Sequence, residues 1–242
     1  MRICFLSLLL AVCSSFALTA EEITRFAPLA DFQWEVAYPF ETGFSYNVVN
    51  IIGYTGSDTD VVIPREIDEM PVRGISSFAF ANKGLTSVVI PDSVNIIWYG
   101  AFAYNELTSV IIPRVSAIWH GAFAYNKLTS IILPDSLQSI GQGAFAHNQL
   151  ESITIPNSVY SLGAGAFAYN HLTSIILHGR PGRVEYATFA SNPITSITIG
   201  NVTVGWEVFG TDNGFERAYI EGGRQTGTYT RPNPESTEWT WQ

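Results

Sequence analysis

From residue 85 onward the chain repeats one pattern of apolar and polar positions. In Leu107-Thr108-Ser109-Val110-Ile111-Ile112-Pro113, a period of two puts Val110 and Ile112 on one face and Ile111 on the other. β-branched residues favour an extended chain, and proline, which has no N–H to give a ladder, ends it. A short strand is predicted in each unit, with Leu107 entering the same core just ahead of it. The return half carries apolar residues at wider intervals, as at Val94, Ile97 and Phe102. There Gly100-Ala101-Phe102-Ala103 predicts a compact helical or 3-10 turn that drives the phenylalanine inward. Burying each of these side chains stabilises by roughly 1.5–3 kcal/mol. No coil can bury its own faces, so neighbouring coils must stack.

The period is read most easily on Phe80, Phe102, Phe123, Phe145, Phe167 and Phe189, which follow one another by 22 residues except for one step of 21. That step falls where Pro113-Arg114-Val115 lacks one residue relative to Pro91-Asp92-Ser93-Val94. Leucine keeps the same beat at Leu85, Leu107, Leu128, Leu150 and Leu172, with Ile194 last; proline keeps it at Pro91, Pro113, Pro134 and Pro156. A period of this length with leucine at fixed offsets lies in the range of leucine-rich repeats. Asparagine also recurs, at Asn105, Asn126, Asn148, Asn170 and Asn192, where each coil bends toward its strand. Such a bend leaves backbone groups without strand partners. A buried side-chain amide can satisfy them in its own coil and in the next. The column is therefore expected to be a structural ladder rather than a set of ligands.

The combined pattern LTSIxIPxSVxxIGxGAFxxN resembles the BspA-like, treponemal-type leucine-rich repeat. The segment GYTGSDTDVVIPREIDEMPVRGI (53–75) resembles that family's N-terminal cap and first repeat, and GTYTRPNPESTEWTWQ (227–242) its C-terminal segment. The resemblance implies an α/β-type repeat solenoid, a right-handed coil of 22-residue units with one parallel strand per coil and a cap at each end. It also implies export and binding to proteins, in some members as surface adhesins. Many members carry cysteine where this chain has asparagine. The organisation expected is a secretory leader at 1–20, an N-terminal cap with a first irregular repeat at 21–74, the repeat array at 75–200, and a C-terminal cap and tail at 201–242.

MRICFLSLLLAVCSSFALTA has one basic residue, a short apolar run and small residues ahead of Ala17 or Ala20, the layout of a secretory signal peptide. The run is too short to span a bilayer. Both cysteines, Cys4 and Cys13, lie in it, so the processed chain would hold no disulfide and no thiolate metal site. Lipidation at Cys13 is the alternative to plain secretion. The expected location is secreted, cell-surface or periplasmic.

Charge changes the picture further. The formal net charge is −9, which removes the simple electrostatic case for nucleic acid. Residues 21–70 hold ten acids and two bases, whereas 71–200 hold five acids and six bases. The array is nearly uncharged and its ends are acidic, which suits covers against end-to-end stacking or steering of a basic partner.

Two candidate protein-binding surfaces follow. One is the outward column Val89, Ile111, Ile132, Thr154, Ile176 and Thr198, flanked by serines and threonines. An apolar stripe of this kind marks a contact surface, although β-propensity alone would also select such residues. The other is aromatic: Trp98 and Tyr99, Trp119 and His120 at equivalent positions of adjacent coils, with Tyr104, Tyr125 and Tyr169 (and His147) in a nearby column. Tryptophan and tyrosine are enriched in binding hot spots, and these rings could equally cover the first coils.

Catalytic and metal-binding patterns are missing. The histidines lack metal-ligand spacing, and there is no GxSxG, P-loop or HExxH. No enzyme activity, cofactor or metal is expected. The partner expected is a protein, with host matrix or cell-surface proteins as candidates. The alternative is a periplasmic or envelope protein with a structural or apolar-ligand role.

Overall fold

The computed structural model describes residues 27–38, 46–178, 183–200, 207–210 and 214–242. The leader expected at 1–20, with Cys4 and Cys13, lies outside them. In chain order the strands are β1 (Phe32–Ala37), β2 (Val48–Tyr54), β3 (Asp60–Val62), β4 (Glu66–Ile67), β5 (Met70–Ile75), β6 (Ser87–Val89), β7 (Ile96–Ile97), β8 (Ala117–Ile118), β9 (Ser139–Ile140), β10 (Ser152–Ile155), β11 (Ser161–Leu162), β12 (Ser174–Leu177), β13 (Arg183–Val184) and β14 (Ser196–Ile199). One helix, α1 (Phe215–Glu221), and strands β15 (Gly227–Thr230) and β16 (Thr240–Trp241) complete the described chain.

The coils stack as the period requires. Six phenylalanine rings, Phe80 to Phe189, are fully buried and stack face to face at 5.1–5.6 Å. Phe209 extends the stack by a further ring at 5.5 Å, and Tyr54 begins it at 5.6 Å from Phe80. The leucine column Leu85 to Leu172 is likewise fully buried. Each Gly-Ala-Phe-Ala segment forms two successive turns closed three residues apart, such as Ala101 N–H to Trp98 O and Ala103 N–H to Gly100 O. Gly100 opens its turn at φ 55°, a left-handed conformation that glycine adopts without steric cost.

The asparagine ladder is present in full. Asn126 Nδ2 donates to the Phe123 and Ala124 carbonyls of its own coil and to Phe102 O (2.9 Å) of the preceding one, while its Oδ1 accepts from Leu107 N–H at 3.1 Å. Asn105, Asn148, Asn170 and Asn192 repeat the arrangement. The second coil that each asparagine ties is thus the one before it, not the one after.

The repeat is richer in strand than expected. The return half of each coil contributes a second strand, of two residues in all but β5, and these form one parallel run, β5-β7-β8-β9-β11-β13, with β2 and antiparallel β1 added at its N-terminal edge. Its inward column, Ile97, Ile118, Ile140, Leu162 and Val184, is buried. No helix occurs between residues 46 and 178; the return half is built from turns and these short strands.

The predicted strand face is continuous only in part. β10, β12 and β14 pair in full parallel register, and β3 pairs with β6. Between them lie the segments 109–112 and 130–133. The first is held by a single bridge, Ile111 to Val89, and the second has no strand partner among the described residues. At the C-terminal end β15 and β16 add antiparallel to β14, and Phe215 of α1 meets Phe209 at 4.8 Å.

Candidate protein-binding surface

Alternation along each strand segment decides where the side chains point. Val89, Ile111 and Ile132 face outward, 44%, 73% and 86% exposed, and Thr154 is exposed beside them. Ile176 and Thr198, in the fully laddered part, are half-buried. The predicted column therefore exists, and its apolar members are most exposed where the ladder is interrupted.

The aromatic candidates divide into three places. Trp98 is half-buried and lies over the N-terminal coil: a methyl group placed on Gly74 would sit 2.1 Å from its ring. Only a glycine at 74 leaves room for it, so Trp98 acts as a cover there. Tyr99, Trp119 and His120 form an exposed cluster, with Tyr99 5.3 Å from Trp119 and 5.0 Å from His120. Tyr104, Tyr125, His147 and Tyr169 make a third group, a stack with ring centroids 4.5, 4.2 and 4.4 Å apart and planes within 8° of parallel.

All four residues of that stack adopt the left-handed backbone, φ 56–58°, which bulky side chains disfavour. Offset stacking contributes about 0.5–1.5 kcal/mol per pair beyond area burial. That gain offsets part of the backbone cost; Tyr104, Tyr125 and Tyr169 are exposed, and His147 between them is half-buried. His147 was part of the column in the sequence, and its place between two tyrosine rings is what the structure adds.

Sequence reasoning missed a cleft. It has a volume of about 720 Å³ and opens between segments 130–135 and 152–158, lined by Ser130, Ile131, Ile132, Thr154, Ser158 and their neighbours. Asp135 and His178 are the ionisable residues on its walls. The sequence signal closest to it is the 21-residue step one coil earlier.

Comparison with known proteins agrees with this architecture. The family model described as BspA type leucine rich repeat region matches residues 73–195 in six copies. The chain belongs to this BspA-type family. No curated protein matches the chain. Among solved structures, the leucine rich repeat protein of T. pallidum (TpLRR) is 31% identical, with a TM-score of 0.55 over 69% of this chain and 75% of that one. A leucine-rich repeat protein from Bacteroides ovatus is 23% identical, with a TM-score of 0.48 over 68% of this chain and 56% of that one. The pneumococcal vaccine antigen PcpA is 21% identical, with a TM-score of 0.47 over 61% and 48%. Leucine-rich repeats are typically binding scaffolds, and among the described residues no helix is long and apolar enough to cross a membrane.

Proposed function

We propose that this BspA-type protein is an exported, adhesin-like module, secreted or held at the cell surface, that binds host proteins through its uncharged Ile/Thr/Ser strand face. The observation that carries the reading is the belt formed by Val89, Ile111 and Ile132, large apolar side chains left in water beside threonines and serines. Contiguous exposed apolar side chains mark contact surfaces, and this belt carries no charge. Export rests on the leader at 1–20.

The test is saturable binding of the processed protein to a panel of matrix and cell-surface proteins. The partner experiment uses the double variant Ile111→Lys with Ile132→Lys, checked for an unchanged thermal transition. Binding that is lost in the variant supports the strand face. Binding that survives moves the site to Tyr99, Trp119 and His120 or to the ring stack. No binding to any host protein favours the periplasmic or envelope role, with an apolar ligand sought by co-purification.

A further inference from the structure

We infer that the cleft between segments 130–135 and 152–158 binds an extended polypeptide segment of the partner, which adds as a strand to the free edge of β10. The inference rests on the protein-binding reading above and deepens it.

Four observations converge on the cleft. The first is an unpaired edge in the middle of the array. β10 pairs with β12 on one side only, and its sheet ends there. Across the cleft the backbone bonds are Gln149 N–H to Leu128 O (2.9 Å) and Glu151 N–H to Thr129 O (3.3 Å), both at the corner. None follows along 130–133 and 152–155 among the described residues. Two facing rows of main-chain N–H and C=O groups without protein partners match an occupant that offers the same groups: another main chain.

The second observation is a hydroxyl without a partner. In the equivalent position Ser93 Oγ donates to Arg65 O and Ser136 Oγ to Val115 O, each at 3.0 Å across a coil boundary. Ser158 Oγ, at the cleft, is buried and has no hydrogen-bond partner. Buried hydroxyls left so are uncommon. The third is a local loss of burial. Ile153, Ile175 and Ile197 are buried, but Ile131 in the same column is half-buried. The fourth is size and charge: about 720 Å³ lies within the ~300–1,000 Å³ of ligand-binding clefts. Its walls are mainly apolar and hydroxylic, with Asp135 and His178 as the ionisable exceptions, which favours alternating β-branched and small side chains. Strand addition draws affinity from the main chain and specificity from alternate side-chain pockets.

The short coil accounts for the opening. Elsewhere the post-proline turn closes over three residues, as in Val94 N–H to Pro91 O and Leu137 N–H to Pro134 O. In the 21-residue coil it closes over two, Val115 N–H to Pro113 O at 2.7 Å. The ladder fails at that coil and the next, while the opposite sheet and the phenylalanine stack pass through unbroken.

The probe is a peptide with the sequence of residues 194–199, ITSITI, capped at both termini and flanked by lysine pairs for solubility. Two control peptides carry N-methyl groups on every second amide, one in each phase. They keep every side chain and remove main-chain donors. Amide hydrogen exchange and fluorescence anisotropy are measured on the processed protein. Exchange at 130–133 and 152–155 should be fast without peptide and at least tenfold slower with it, at 174–177 unchanged, and N-methylation should weaken binding at least tenfold. Insertion of one serine between Arg114 and Val115 should slow exchange at 130–133 without peptide and reduce peptide binding at least tenfold.

Unchanged exchange at both walls with saturating peptide overturns the inference, as does binding indifferent to N-methylation. If host proteins bind in a manner sensitive to Ile111→Lys with Ile132→Lys while the cleft amides stay unprotected, the strand-face reading stands and strand addition fails. If the cleft is protected by peptide and no host protein binds, strand addition stands and the host-adhesin reading fails.

Discussion

The coils around 109–133 and those around 152–199 are built from nearly the same sequence, yet differ on one face. Both carry the stacked phenylalanines, the asparagine ladder and the two-residue strands of the return sheet. Only the second region carries a full strand ladder. The difference separates what stacks the coils from what finishes them. Phenylalanine, asparagine and the return sheet are sufficient to hold neighbours in register, and the strand ladder is free to open. A parallel solenoid thereby gains an unpaired edge without losing its spine.

The largest test of this division is removal of the spine in the laddered region. Phe167→Ala should destabilise by about 3–5 kcal/mol, measured by urea denaturation, because a fully buried ring leaves a gap between two others. A loss as small as that of a surface residue would mean that the ladder, not the stack, sets the coil spacing. Next is a pair of equivalent core positions. Ile153→Ala should cost about 2–5 kcal/mol, and Ile131→Ala less, since its side chain is only partly buried against the core. Equal costs would erase the contrast between the two regions.

The asparagines come third. Asn126→Ala should cost about 1–3 kcal/mol through orphaned backbone groups, and Asn192→Ala less, because its site is only partly buried. Unchanged denaturation curves for both would remove the ladder from the account. The smallest effect lies in helix α1. Burial raises the pKa of Glu216, Glu207 adds a like charge, and backbone hydrogen bonds, including one from Phe209, oppose the shift. With the folded value above the unfolded one, the group is neutral and harmless at low pH, and stability falls as pH rises through the folded value. Glu216→Gln should therefore raise the thermal midpoint at neutral pH and leave it unchanged in acid.

Much of this was legible in residues. The Phe80–Phe189 and Asn105–Asn192 columns recur at fixed offsets, so their shared burial followed from period alone. The outward placement of Ile111 and Ile132 followed from alternation. The return sheet was not legible, because two residues such as Ile96 and Ile97 are too few to show a period of two. The opening at 130–133 was not legible either: Leu128-Thr129-Ser130-Ile131-Ile132-Leu133 has the same strand-forming character as Leu172-Thr173-Ser174-Ile175-Ile176-Leu177, which does pair. What differs nearby is the two-residue closure after Pro113, one coil before 130–133. Trp98 and Trp119 looked like one cluster by alignment, and the space over Gly74 separates them.

The backward reach of the asparagines also bears on how the chain is made. Asn126 closes the coil that holds Phe102 and Leu107, and Asn148 the one after that. A chain emerging from its N-terminus thus completes each coil only when the following corner appears, a lag of one coil, or about 1–4 s at ~5–20 residues per second. Wherever synthesis stalls, one coil is left unlatched at the growing end. A truncated product carries its own mark of incompleteness, a bent backbone with bare donors and acceptors for a protease or chaperone to grasp.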